Sequence, residues 1–301
     1  MTTHEFSPDG YWNTFGSHPE VLRLRPGDTL VTTTIDAHGM DERGEKVCDG
    51  PNPQSGPFYV EGAEPGDTLV VRIDALAPNR ATGWSAAPLA PHVVEAERAR
   101  ELPEARLVEW EFLPGGKARI ASPEAGRLAG VEFALRPMLG CIGVAPSLGQ
   151  AISSATSGPY GGNMDYVGAA AGTTLYFPVF VPGALLHLGD GHALQGDGEV
   201  AGTGIETSFS VRCTLDLLKG KQMGWPRGED AEYIFTIGNA RPLEQAVQHA
   251  TSEMLAWLAE DYGLDALAAG TLLGMCVRYD LGNIYDPAYT MVCKVPKAML
   301  K

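Results

Sequence analysis

The residues of this chain that could do chemistry are concentrated in one stretch. Asn163-Met164-Asp165 is followed by Gly189-Asp190-Gly191-His192-Ala193-Leu194-Gln195-Gly196-Asp197-Gly198-Glu199 and then by Glu206. Side chains alternate along a strand with period two, so Asp190 and His192 on one strand would share a face, as would Asp197 and Glu199. Carboxylates crowded on one face repel one another and lose hydration. Such a cluster is stable only with protons, basic partners or a bound cation. The pattern therefore predicts a metal-dependent hydrolytic site. The competing reading is two successive Gly-Asp turns carrying solvated acids, because Asp closes turns and Gly takes positive φ. The density of polar groups directly after the apolar run Thr174 to Leu188 favours the site.

Asp36-Ala37-His38-Gly39 repeats the two-residue spacing. The pairs Asp36/His38 and Asp190/His192 are accordingly the predicted metal ligands, with Asp165 as a fifth. Mixed oxygen and nitrogen donors fit Zn²⁺ better than Mg²⁺, with Mn²⁺, Fe²⁺ and Ca²⁺ as alternatives. Glu199 and Glu206 are then the candidates for general acid/base work, which requires a pKa raised by burial near other acids. Covalent catalysis has less behind it. The chain has no Gly-x-Ser-x-Gly elbow, Ser147 and Ser153-Ser154 read as loop formers, and Cys141 has no neighbouring basic residue to lower its pKa.

These residues need a scaffold, and the sequence around them reads as strands. Val21 to Thr34 suggests strand, Pro-Gly-Asp turn, strand, and Gly56 to Ile73 repeats the scheme. Pro-Gly-Asp-Thr-Leu-Val recurs residue for residue at 26–31 and 65–70. The echo predicts two equivalent hairpins in a β-sandwich or barrel. Asp41 to Pro57, rich in Gly, Pro and Asn, is predicted to be a long loop of the kind that walls a site. Further strands are expected at Trp110 to Ile120, Thr173 to Phe180, Ala184 to Leu188 and Thr207 to Leu217. Pro242 to Tyr262 is the one clear helix, with Leu243, Val247, Ala250, Met254, Leu255 and Leu258 recurring at three or four residues and Gly263 to end it. Leu264 to Val277 suggests a second helix, interrupted by Gly270 and Gly274.

Composition narrows the partners. The net charge of -15 argues against a nucleic-acid backbone and favours neutral or cationic small molecules. The five cysteines are odd in number, far apart and without a CxxC pair, so reduced thiols in a cytoplasmic protein are expected rather than disulfides or a thiolate zinc site. Met1 to Gly10 lacks a signal-like apolar segment, and the apolar residues around Thr173 to Leu188 are broken by Pro178, Pro182 and Gly183. No membrane association is expected.

The chain resembles the acetamidase/formamidase family of amide hydrolases. The likeness rests on Ser55-Gly56-Pro57-Phe58-Tyr59-Val60-Glu61-Gly62-Ala63-Glu64-Pro65-Gly66-Asp67, on Gly161-Gly162-Asn163-Met164-Asp165, on Phe177-Pro178-Val179 with Gly183-Ala184-Leu185, and above all on Gly189-Asp190-Gly191-His192, Gln195 to Glu199 and Ile205-Glu206. The resemblance implies a mainly β enzyme of jelly-roll character with an α+β part toward the C-terminus. It also implies hydrolysis of short amides to a carboxylate and ammonia with a divalent metal. On this reading residues 1–217 form the β-rich catalytic portion and 218–301 a C-terminal portion packed on it, in a homo-oligomer, a dimer being favoured. Tyr160, Gly161, Asn163 and Gln195 are the candidate substrate contacts. Two departures stand beside the site. Tyr160 replaces the histidine of a Pro-His-Gly-Gly loop, and Gly39-Met40 replaces a glycine pair, so Tyr160 is expected to re-line the pocket. The alternative from another class is a non-catalytic jelly-roll module in which a divalent cation, such as Ca²⁺, orients a small ligand.

Overall fold

The two Pro-Gly-Asp stretches fold alike, but not as hairpins. In the computed structural model, which describes residues 1–121 and 123–300, the strand Leu22–Leu24 lies parallel to Gln54–Val60 in one sheet, with Leu22 opposite Phe58. After the turn, Thr29–Thr34 lies in the other sheet, antiparallel to Phe209–Leu218. The second copy does the same: Gln54–Val60 pairs with Leu186–His192, and Thr68–Pro78 flanks the opposite side of Phe209–Leu218. Each turn is closed by its Asp, with Asp28 Oδ2 accepting from the Arg25 N–H at 3.1 Å and Asp67 Oδ2 from the Glu64 N–H at 2.8 Å. The sequence echo therefore encodes a repeated crossing between sheets. Flanking strands and a tight turn look the same in sequence whether the strands bond to each other or to different neighbours.

The architecture is mainly β, as expected. Among the described residues a nine-stranded sheet and an eleven-stranded sheet face one another, with a two-stranded pair beside them. Phe209–Leu218 shows the period-two pattern of a half-buried strand, sending Phe209, Val211, Cys213 and Leu215 inward and Ser210 and Arg212 outward. The core between the sheets also takes Phe58, Val60, Leu69, Val71, Ile142, Leu186 and Leu188. Each such side chain contributes about 1.5–3 kcal/mol through apolar surface removed from water. The strands Arg227–Glu229, Tyr233–Ala240, Tyr289–Pro296 and Arg278–Leu281 continue the nine-stranded sheet beyond Thr174–Pro178. The division at 217/218 thus falls within one continuous sheet.

The helix Leu243–Tyr262 forms as predicted and ends at Gly263, whose φ of 65° is left-handed. It packs on Tyr233–Ala240 and Tyr289–Pro296 through Ala246, Ala250, Glu253, Met254, Trp257 and Leu258. Leu255, predicted to face the core, is exposed. A buried ion pair accounts for the rotation. Arg227 is buried beneath the helix, where its Nε donates to Glu253 Oε1 at 2.7 Å and its Nη1 to Glu260 Oε2 at 3.0 Å. Glu253 Oε2 also accepts from the N–H groups of Gly224 and Trp225. Apolar periodicity carries no signal for a carboxylate that belongs inside. The second helix, Ala266–Cys276, runs through Gly270 and Gly274 without a break and is capped by Asp265, which accepts from the Ala268 N–H.

Removing one partner of a buried pair strands the other's charge, at a cost of about 3–5 kcal/mol. Arg227→Met should lower unfolding stability by that amount in urea denaturation, while Leu255→Ala, on the exposed face, should stay within about 0.5 kcal/mol. Equal small effects would show that the pair does not hold the helix on the sheet.

Candidate active site

The acids converge because glycine-lined strands end beside one another. Asp190 and His192 lie on Leu186–His192, and Glu206 begins Glu206–Thr207 directly opposite His192. Asp165 follows Gly161–Asn163, its N–H held by the Gly140 carbonyl at 3.1 Å. Glu199 sits in the turn after Gln195, fixed where the Gly198 N–H donates to the Leu281 carbonyl. Asp286 comes from the loop between the last two strands, its N–H donating to Asn283 Oδ1. Gly140 makes this possible, since a Cβ there would stand 2.5 Å from Asp165 Oδ1 and 2.8 Å from Asp190 Oδ2. Asp165, Asp190 and Glu199 take positive φ values of 45°, 54° and 48°. Non-glycine residues rarely do so, and such strain collects where surrounding structure enforces a functional geometry.

Five buried carboxylates thus surround one buried imidazole. Three overlapping triads have donor atoms within 4.8 Å of one another: Asp165, Asp190 and His192; His192, Glu199 and Glu206; Asp165, Glu199 and Asp286. Gln195 fixes the imidazole. Its Nε2 donates to the carbonyls of Asp165 and Gly282, so its Oε1 must accept from His192 Nδ1, at 2.7 Å. His192 Nε2 then faces the acids, 2.8 Å from Glu206 Oε1 and 3.5 Å from Asp190 Oδ1. Neither contact has hydrogen-bond geometry. Among the described residues, His192 Nε2, Asp165 Oδ1, Asp190 Oδ1 and Glu206 Oε2 are all buried without a hydrogen-bond partner.

Convergent lone pairs of this kind call for positive charge. Burial raises the proton affinity of Glu199 well above the usual carboxylate range, with the charge of Asp286 adding to it. Burial likewise raises Asp165, reinforced by Glu199 and Asp286. Glu206 is pushed up to about 8 by burial, against the pull of His192, and Asp286 to about 6, again chiefly by burial. Burial works to lower His192, but Glu206 and Asp190 prevail and raise it. The cluster therefore favours states that bring positive charge to it.

The cluster opens into a cavity of about 200 Å³ lined by Asn52, Asn163, Asp190, Glu199, Thr203, Glu206 and Asp286 on its polar side and by Trp84 and His38 at its lip. At about 30 Å³ per water, it holds roughly six or seven waters, the scale of a very small substrate.

Several sequence-predicted roles change. Asp165, Asp190, His192, Glu199 and Glu206 come together, but Asp36 and His38 do not join them. The strand Thr29–Thr34 ends before Asp36, whose carboxylate is spent on Arg80 Nη2 at 2.8 Å, Trp84 Nε1 at 3.0 Å and the N–H groups of His38 and Met40. His38 is exposed and stacks on Trp84, with ring centroids 3.9 Å apart. Asp197 is exposed while Glu199 is buried, because the segment turns instead of running as a strand. Tyr160 does not line the cavity: it is buried against Phe15, with its hydroxyl donating to the Thr156 carbonyl. Gly161 is taken up in pairing with Gly143, and Gln195 orients His192 instead of meeting the cavity. Asn163 does line it, donating through Nδ2 to Asp286 Oδ2 at 2.5 Å.

Asp286, Asn52, Trp84 and Thr203 escaped the sequence reading as site residues. Asp286 reaches Asn163 across a separation of 123 residues. Asn52 donates to Asp190 Oδ2 and Asn163 Oδ1 from within the Gly/Pro-rich loop. The available signal was the expectation that this loop walls a site, which pointed to the segment but not to Asn52 within it.

Comparison with known proteins gives a consistent answer. The sequence model of the Acetamidase/Formamidase family matches residues 18–157 and 149–257. The chain is 30% identical over 239 residues to an acetamidase of Mycolicibacterium smegmatis, covering 63% of this chain and 58% of that protein. It is 27% identical over 256 residues to a formamidase of Methylophilus methylotrophus, covering 67% and 62%. It therefore spans about three-fifths of the length of these curated relatives. It superposes on the crystal structure of an acetamidase from Yersinia enterocolitica with a TM-score of 0.86 at 31% identity, covering 99% of this chain and 93% of that one. For an acetamidase from Bacillus halodurans the TM-score is 0.85 at 28% identity, with 98% of each chain covered. With the family model matched over most of its length, the chain belongs to the acetamidase/formamidase family.

Proposed function

We propose that this protein hydrolyses short-chain primary amides to a carboxylate and ammonia with the help of a divalent metal. The observation that carries the metal is the convergence of buried, unbonded lone pairs on Asp165, Asp190, His192 and Glu206, of which Asp190 and Glu206 line a small cavity. Family membership and the names of its relatives support amide hydrolysis. The donor set fits a cation: Asp165, Asp190 and His192 would hold it, and mixed oxygen and nitrogen donors favour Zn²⁺, with Mn²⁺ or Ca²⁺ the alternatives. When bound, such an ion polarises a carbonyl and lowers the pKa of water toward about 7.

The rest falls to the protein. Glu199 faces the cavity from a buried turn with a raised proton affinity. It can take a proton from water as the oxygen attacks the amide carbon, then deliver it to the nitrogen as the C–N bond breaks, so that ammonia leaves. Gln195 keeps His192 in one tautomer through both steps. The Thr203 hydroxyl oxygen accepts from the Ala86 N–H at 2.7 Å, which leaves its own proton to point at a substrate oxygen in the cavity. Glu206 shares the acid cluster and is the second candidate for proton handling.

Elemental analysis of the purified protein, paired with ammonia release from formamide and acetamide, tests this reading. Divalent metal near one per chain should be found, chelation should abolish release, and restoring zinc should recover it. Full release from metal-free protein would overturn the metal. Glu199→Gln should retain metal while turnover falls about a hundredfold or more, the usual size of a general acid/base contribution. Loss of metal in that variant would instead place Glu199 among the ligands.

Gly140→Ala should be equally damaging although it replaces no candidate ligand. Its new Cβ displaces Asp165 and Asp190, so metal content should drop with activity while circular dichroism stays that of the parent. Unaltered metal content would show that the two carboxylates do not share an ion.

A further inference from the structure

Next to the chamber is an outer groove of about 460 Å³, lined by Met40, Lys46, Gly50, Leu107 and Glu109 and by the same His38 and Trp84 rings that line the chamber. The two spaces share His38 and Trp84 as walls, and the loop residues Gly50 and Pro51 border one each. Their chemistry is opposite. The chamber is lined with acids, amides and a hydroxyl, while the groove is walled by a methionine, a leucine and an indole.

The lip between them has a fixed half and a freer half. Trp84 donates its Nε1–H to Asp36 Oδ2, and that carboxylate is pinned by Arg80. Turning the indole away would leave a buried carboxylate short of a partner. His38 is exposed, and its ring lies on the indole face, with an interplanar angle of 15°. A flat ring already occupies that face, which shows that the face accepts one.

Resting on the primary-amide reading above, we infer that the groove is a subsite for the acyl arm of the substrate, so that the protein's range extends beyond short-chain amides to those with an apolar, preferably aromatic, acyl group. The reactive amide would sit in the chamber, and the arm would cross the indole into the groove. A primary amide has no substituent on nitrogen, so only the acyl side can extend. The chamber alone has space for formamide or acetamide, and the groove adds room that neither would fill.

The test separates this from the amidase reading by measuring binding with ligands that cannot be hydrolysed. Acetone and benzyl methyl ketone reproduce acetamide and phenylacetamide with a methyl in place of the amino group. Ligand-observed NMR on the metal-loaded protein should find benzyl methyl ketone bound at least tenfold tighter than acetone. Leu107→Glu, at a half-exposed position on the strand Arg106–Leu113, should reduce that ratio below threefold, as should Trp84→Ala. Where amides are turned over, kcat/KM for phenylacetamide relative to acetamide should show the same loss. A wild-type preference abolished by Leu107→Glu upholds the subsite even if no amide is hydrolysed, and then the amidase reading alone fails. Equal binding of the two ketones, or a preference that survives both substitutions, overturns the subsite even if acetamide is a good substrate.

Discussion

Five buried carboxylates around a single imidazole impose the main constraint on this fold. Ionised groups in a low-dielectric interior are strongly disfavoured unless something offsets their charge, and here the neighbouring protein groups are chosen not to. Asn52, Asn163, Asn283 and Gln195 reach the cluster, and all are neutral. They orient the acids by hydrogen bonds without cancelling them. Acids elsewhere in the same protein are treated differently: Asp36 has Arg80, Asp67 has Lys219 and Glu253 has Arg227. Where charge only has to be accommodated, the chain supplies a cation of its own. At the cluster, the described residues provide only His192.

This division of partners explains how the sheets are used. Rigid strand ends give the acids fixed positions, because a site that concentrates like charge would otherwise spread apart. Asp190 and Glu206 approach because their strands are adjacent and antiparallel, and Asp165 is drawn in where Gly140 leaves no side chain between them. The left-handed backbone at Asp165, Asp190 and Glu199 is the local cost of aiming short side chains at one point. The surrounding core over-determines those conformations.

How much of this was legible beforehand depended on the range over which each residue is specified. Asp190 and His192 were found by a spacing rule, although the positive φ at Asp190 means that they do not simply alternate as that rule supposes. Asp36 and His38 have the same spacing and a different fate, because Arg80 and Trp84 claim Asp36 from another segment. The Pro-Gly-Asp echo was plain in the sequence, but which sheet each flanking strand joins is decided by distant partners. Asp286 left no local mark at all. Asn163, on the strand Gly161–Asn163, and Asn283, in the same closing loop, hold it beside Asp165 and Glu199.

The repeat also sets how the walls of the site are built apart from its acids. Each copy carries the chain from one sheet to the other, and the segment 35–53 lies between the end of the first copy and the start of the second. It holds no strand of either large sheet, although the Met40–Lys46 bridge and the close packing of Gly39 on Cys48 give it a shape of its own. Yet it presents His38 and Asn52 to the chamber and Met40 and Gly50 to the outer groove. Asn52 alone is tied to the acids, through Asp190. Asp36 in the same segment is tied instead to Arg80 and Trp84, so the loop is anchored at two points and its other residues wall the two spaces between them.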